Sequence, residues 1–152
     1  MVRFVTALWL SAACALPALA AEGGVVPTLV QHWKTSKQYL VALAEQMPAE
    51  DYAFKPNAAE MGFGEQMAHI AGANSFFFSK VSGKKDPIGK PANFEKATVL
   101  KMLNDSYDFC ISALEGMEPA RLHEMIDTGE GKMAGLEALM LAAPVMQIPA
   151  RG

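Results

Sequence analysis

Residues 47–77 read MPAEDYAFKPNAAEMGFGEQMAHIAGANSFF, and how this stretch is read decides the fold. Its first half cannot be one helix. Pro48 and Pro56 each lack a backbone N–H, and each biases the residue before it toward extended backbone. Tyr52 and Phe54 are the groups expected to pin this connection to a core. From about Gly62 the apolar residues switch to the three-and-four spacing of a helix, with Phe63, Met67, Ile70, Phe77 and Val81 on one stripe. Glu65 stands three residues after Gly62, where a carboxylate reaches back to the first N–H of a helix, so a helix is expected to start there.

Working outward, the segment before this stretch predicts a helix from about Pro27 to Met47, with Leu29, Trp33, Leu40, Leu43 and Met47 inward. Pro27 suits a first helical turn, and Pro48 ends the run. After the stretch, GKKDPIGKP at residues 83–91 is a loop by composition. A third helix follows from about Phe94 to Gly116, with Asn93 as its expected cap. Leu100, Leu103, Tyr107, Cys110, Ile111, Leu114 and Met117 form its inner face. A short helical turn is expected at Pro119, and a last helix over Lys132 to Ala143 carries Met133, Leu136, Leu139 and Met140. No strand-type alternation persists. Three rods of about 30 Å and one of about 18 Å make an all-α, up-down four-helix bundle with a short last helix. Part of the apolar faces of its neighbours is then left uncovered.

Residues 1–20, MVRFVTALWLSAACALPALA, stand apart from this pattern. Arg3 precedes an apolar run, Pro17 breaks it, and Ala18-Leu19-Ala20 is the small-x-small pattern of a signal-peptidase site. The run is shorter than the roughly 20 residues of a membrane-spanning helix. The expectation is a cleaved secretory signal over 1–20, a helical domain over 21–152, a periplasmic or secreted product, and no stable membrane span after cleavage. Cleavage removes Cys14 and leaves Cys110 alone, so no internal disulfide can staple the domain. Cys110 lies among Ile111 and Leu114 with no cation nearby, which reads as a buried, inert thiol.

With 13 Lys and Arg against 16 Asp and Glu, the net charge of −3 gives no basic surface for phosphate, so no nucleic-acid partner is expected. Charged residues are 19% and apolar residues 51% of the chain, which excludes a disordered polyelectrolyte. The 10 Met residues are scattered and read as adaptable core filling. Nucleophile elbows, P-loops, GxGxxG turns and CxxC pairs are absent. The three histidines are His32, His69 and His123, none paired at i and i+4, so no metal site lies within a single helix. Three of them could meet only across a bundle core. Glu65 shares a face with His69 four residues on. It reads either as a metal ligand or orienter of that histidine, or as an acid complementing the helix dipole, the dipole role being the commoner.

Pro48, Glu50, Tyr52, Phe54, Lys55, Pro56, Met61, Gly64, Glu65, Gln66, His69, Ile70 and Asn74, in this spacing, resemble the DinB family. His32, Trp33, Tyr39 and Leu40 on the preceding helix agree, and the resemblance covers about residues 26–117. It implies a four-helix bundle holding a divalent metal, often nickel or zinc, on three histidines. His69, in its AHIA context, matches the ligand of the second helix. The other two come from an H-x3-H pair on the last helix of the family. Here residues 135–152 read GLEALMLAAPVMQIPARG, without histidine, and Pro144 stands about where the pair would begin. The resemblance thus implies a C-terminus truncated or divergent from the family pattern, and an incomplete metal site retaining His69.

Two functions follow as expectations. One is an exported divalent-metal-dependent enzyme using zinc or nickel, akin to superfamily members that transfer or isomerise substrates with low-molecular-weight thiols. The other is a non-catalytic helical module that forms a homodimer or binds a small apolar ligand through the face left by the short last helix. DNA repair is suggested only by the family's name, and an acidic, exported chain speaks against it.

Overall fold

The computed structural model describes residues 24–129 and 131–142; the expected signal segment and the chain beyond Ala142 lie outside them. Among the described residues four α-helices form: α1 (Val25–Gln46), α2 (Phe63–Ser82), α3 (Lys96–Glu115) and α4 (Gly135–Ala142). A 3₁₀ turn at Ala49–Ala53 follows α1, and another at Pro119–His123 follows α3. The all-α bundle expected from the helical periods is what forms. α1 packs on α3, α3 on α2, and α2 on α4.

The direction of the helices follows from which residues meet. Lys34 pairs with Glu115 at 2.7 Å and Lys37 with Asp108 at 2.6 Å, while Lys96 reaches the end of α1, so α1 and α3 are antiparallel. Gly64 lies against Phe94, and Lys84 donates to the Ser112 carbonyl, so α2 and α3 run parallel. The helices therefore do not alternate strictly up and down. The connection of residues 83–95 carries the chain back along the bundle to restart at the same end. Asp86 fastens it midway, accepting from Ser75 Oγ on α2 and from the Ile88 N–H.

Large aromatic groups tie the helices together. Trp33 of α1 is 1% exposed and stands edge-on to Phe78 of α2, ring centroids 4.6 Å apart, and 5.5 Å from Tyr107 of α3. Such contacts contribute about 0.5–1.5 kcal/mol each beyond area burial. Met67, Ile70 and Val81 of the expected α2 stripe are buried, as are Leu103, Tyr107, Cys110, Leu114 and Met117 around α3.

The terminus of α1 shows how the prolines act. Pro48 has no N–H for the Ala44 carbonyl four residues earlier, and that oxygen accepts instead from Tyr52 Oη at 2.6 Å. The Lys96 ammonium donates to the Glu45 and Met47 carbonyls at 2.6 and 2.8 Å. Tyr52 is buried, packed edge-on against Phe63 at 5.2 Å. At the other end of α2, Gly83 takes φ 71°, a left-handed conformation suited to glycine, and its N–H closes on the Ser79 carbonyl. The Arg121 guanidinium covers the Val81 carbonyl through Nε at 3.1 Å and a terminal nitrogen at 2.7 Å.

Several expectations are corrected. Phe54 is 61% exposed; its backbone, not its ring, ties the connection, with its carbonyl accepting from the Phe63 N–H. Leu43 and Met140 face outward, and Ala44 takes the inner position that Leu43 was expected to hold. Asn93 does not cap α3; its side chain accepts from the Glu95 N–H, and Glu95 is the residue before the first turn. Residues Lys132–Ala134, read as helical, form strand β2 against β1 (Met125–Asp127), antiparallel with Ile126 opposite Met133. Strands of three residues are too short to show alternation. The last helix is accordingly shorter still among the described residues.

Candidate functional site

The site is a groove on the outer side of α2, where that helix meets the β1–β2 hairpin and α4. His69, Gly72, Ala73, Phe76 and Phe77 line it from α2, with Thr128, Met133 and Leu141 opposite, enclosing about 350 Å³. The helical period explains the α2 wall: residues 69, 72, 73 and 76 recur at three and four, about a third of a turn from the Ile70–Asn74–Phe78 face that meets the core. Short side chains at Gly72 and Ala73 form the floor, and a Cβ placed on Gly72 would meet nothing within 4 Å. Phe76 and Leu141 are 38% and 37% exposed. A lining of this kind suits an apolar body with a polar anchor.

His69 is exposed, and among the described residues no hydrogen bond or ion pair engages its ring. Its neighbours across the groove are carbon, save for Thr128, whose hydroxyl donates to the Gly131 carbonyl at 3.0 Å. His32 is on α1 and His123 ends the second 3₁₀ turn, both exposed. Among the described residues no three His, Cys, Asp or Glu side chains come together as a metal-holding group. One imidazole does not make the three- or four-donor set that a zinc site uses, so the described residues do not by themselves fit a tightly held metal.

Glu65 shares the His69 face in sequence but is occupied elsewhere. Its Oε2 accepts the Gly62 N–H at 2.7 Å and lies 3.3 Å from the Lys55 ammonium. That backbone bond first, and Lys55 second, hold its carboxyl below the usual carboxylate range. The acid at the helix start is thus the role Glu65 takes. A second cavity of about 350 Å³ surrounds this cap, lined among others by Glu50, Tyr52, Phe94 and Glu95.

The α2–α3 seam holds a polar cluster that sequence reading did not assemble. Asn74, Ser75 and Ser106 are fully buried beside Tyr107 and Cys110. Among the described residues, neither amide atom of Asn74 nor the Tyr107 hydroxyl has a partner in hydrogen-bonding geometry. Burial pushes the Tyr107 phenol and the Cys110 thiol well above their ordinary values, the Asp86 carboxylate adding to the second. Cys110 is therefore the inert buried thiol expected. Gly72, Phe76 and Met133 were missed as groove residues. The only signal for them was a Gly-Ala pair at mid-helix, out of phase with the core stripe.

With this geometry in view, comparison with known proteins adds one match: the DinB superfamily model covers residues 32–143. That span includes α2, the hairpin and the described part of α4. No curated protein and no solved structure matches.

Proposed function

The chain belongs to the DinB superfamily, and from that premise we propose that it is an exported binding domain whose groove beside His69 takes a small, largely apolar ligand. The carrying observation is an open groove of about 350 Å³, carbon-lined, with an imidazole at its rim that nothing described engages. The apolar wall contributes affinity by burial, roughly 25 cal/mol per Å² covered, and His69 orients the ligand through one hydrogen bond. The test uses 1-anilinonaphthalene-8-sulfonate as probe. Binding is expected to fall at least tenfold in Gly72→Trp, whose indole fills the groove, and more modestly in His69→Ala. Equal binding by all three proteins overturns the reading.

A second reading, a divalent-metal-dependent enzyme of thiol-transferase type, has His69 in its favour. That residue keeps the family's ligand position and faces open space. It requires further donors from outside the described residues. Zinc or nickel near one equivalent per chain, lost in His69→Ala, would support it; no metal in either protein would count against it. A homodimer through the face left by the short last helix, where Phe76, Met140 and Leu141 are exposed, is tested by sedimentation. Export is supported by the pattern of residues 1–20, and among the described residues no helix is long and apolar enough to cross a membrane. Amino-terminal sequencing of the periplasmic or secreted product should begin at Ala21.

A further inference from the structure

We propose that the cavity where α2 and α3 begin is a second binding site, independent of the His69 groove, for a small organic amine with an apolar body. The cavity encloses about 350 Å³ between the first 3₁₀ turn and the starts of the two helices, a size suited to one small molecule. Gly64 lets the chain ahead of α3 close on α2 and brings Phe94 beside Tyr52; a Cβ there would strike the Phe94 carbonyl oxygen and come within 3.1 Å of the Tyr52 ring. Tyr52 and Phe94 give the cavity an aromatic wall, and the face of such a ring attracts a cation.

The charge of the occupant follows from the rest of the lining. Its charged side chains are Glu50, Glu65, Glu95 and Lys55, so three carboxylates face one ammonium. Glu65 is committed, since it holds the Gly62 N–H and lies 3.3 Å from Lys55. The carboxylates of Glu50 and Glu95 make no hydrogen bond or ion pair among the described residues, and Glu95 gives α3 no side-chain cap. The chain's own lysines show the same preference. Lys55 turns to Glu65, and beside the cavity Lys96 donates to the Glu45 and Met47 carbonyls at 2.6 and 2.8 Å.

A bare metal ion is the poorer occupant. Among the described residues no three His, Cys, Asp or Glu side chains converge as a metal-holding group, and an ion would leave the aromatic wall unused. An amine with an apolar body engages both features: its charge meets Glu50 and Glu95, and its body covers Tyr52 and Phe94. An organic acid would meet the same two glutamates as like charges. Glu50 and Glu95 are exposed, so salt screens their attraction for the amine.

The experiment titrates the full chain with tryptamine by isothermal calorimetry at neutral pH. N-acetyltryptamine, which keeps the indole and loses the charge, is the comparison. One saturable site is expected for tryptamine, at least tenfold tighter than for the acetylated compound, and weakened by added salt. In Glu50→Gln/Glu95→Gln, which removes both free carboxylates and keeps their shape, tryptamine should bind at least fivefold more weakly and N-acetyltryptamine as before. Ala53→Trp, which fills the cavity from its wall, should weaken both. No saturable binding of tryptamine, equal binding of the two compounds, or a Gln variant that binds as the natural chain does overturns the proposal. The two-compound comparison needs no variant, so it decides the matter even where a substitution unfolds the chain. Gly72→Trp locates the site. Unchanged tryptamine binding is expected there, and a fivefold loss would put the amine in the His69 groove and overturn the assignment to this cavity.

Discussion

Replacing Tyr52 with Phe tests the account of how α1 ends. The Ala44 carbonyl is buried, and its ordinary partner would be the N–H of residue 48, which as Pro48 has none. Tyr52 Oη supplies the missing bond at 2.6 Å. Phenylalanine keeps the ring against Phe63 and removes only the hydroxyl, leaving a buried carbonyl unpaired. That costs about 1–3 kcal/mol, well above the 0.5–1.5 kcal/mol of an ordinary exchangeable hydrogen bond. A loss of about 2 kcal/mol in a domain of this size lowers the thermal midpoint by roughly 6–10 °C. Urea unfolding followed by far-ultraviolet circular dichroism measures it, with an unchanged slope showing that the unfolded state is not altered. Pro48→Ala supplies the competing N–H, so Tyr52→Phe should cost at least 0.5 kcal/mol less in that background. A cost below about 0.5 kcal/mol in the natural chain, or additive effects in the cycle, would refute the reasoning.

Four further outcomes are expected. Gly64→Ala should destabilise by more than about 2 kcal/mol, since its Cβ would fall 2.2 Å from the Phe94 carbonyl oxygen, backbone that cannot yield cheaply; Gly72→Ala, with open space around its Cβ, should instead stabilise by about 0.5–1 kcal/mol in the same unfolding assay. Lys96→Met should lower stability by about 1–2 kcal/mol, because the ammonium covers two carbonyls at the negative end of α1 and methionine keeps only the stem. Burial raises the folded-state values of Cys110, Tyr52 and Tyr107, so the folded chain holds protons that the unfolded chain releases. Stability is then full below about pH 9 and falls as pH rises, first for the thiol and above about pH 10 for the phenols, by roughly 1.4 kcal/mol per pH unit per group. Cys110→Ala should move the onset from about pH 9 to about pH 10; a flat profile to pH 11 would contradict the burial of these groups.

What could be read along the chain was whatever neighbouring residues decide between themselves. The three long helices, the proline breaks and the Gly62–Glu65 cap all depend on partners within four residues, and the family pattern in residues 47–77 is a local spacing too. The sequence by itself therefore determined the helical class, the superfamily and the place of His69 on α2. Only the tertiary structure decided which side of α2 that histidine occupies relative to other donors, and it sets His32 and His123 on other elements. The parallel course of α3, the Lys96 and Arg121 caps on distant carbonyls, and the hairpin that walls the groove all join residues far apart in sequence. So does the burial of Asn74 against Tyr107. Their free energy comes from burial and hydrogen bonding between segments that no period of two or 3.6 residues relates, and it exists only once the helices have packed.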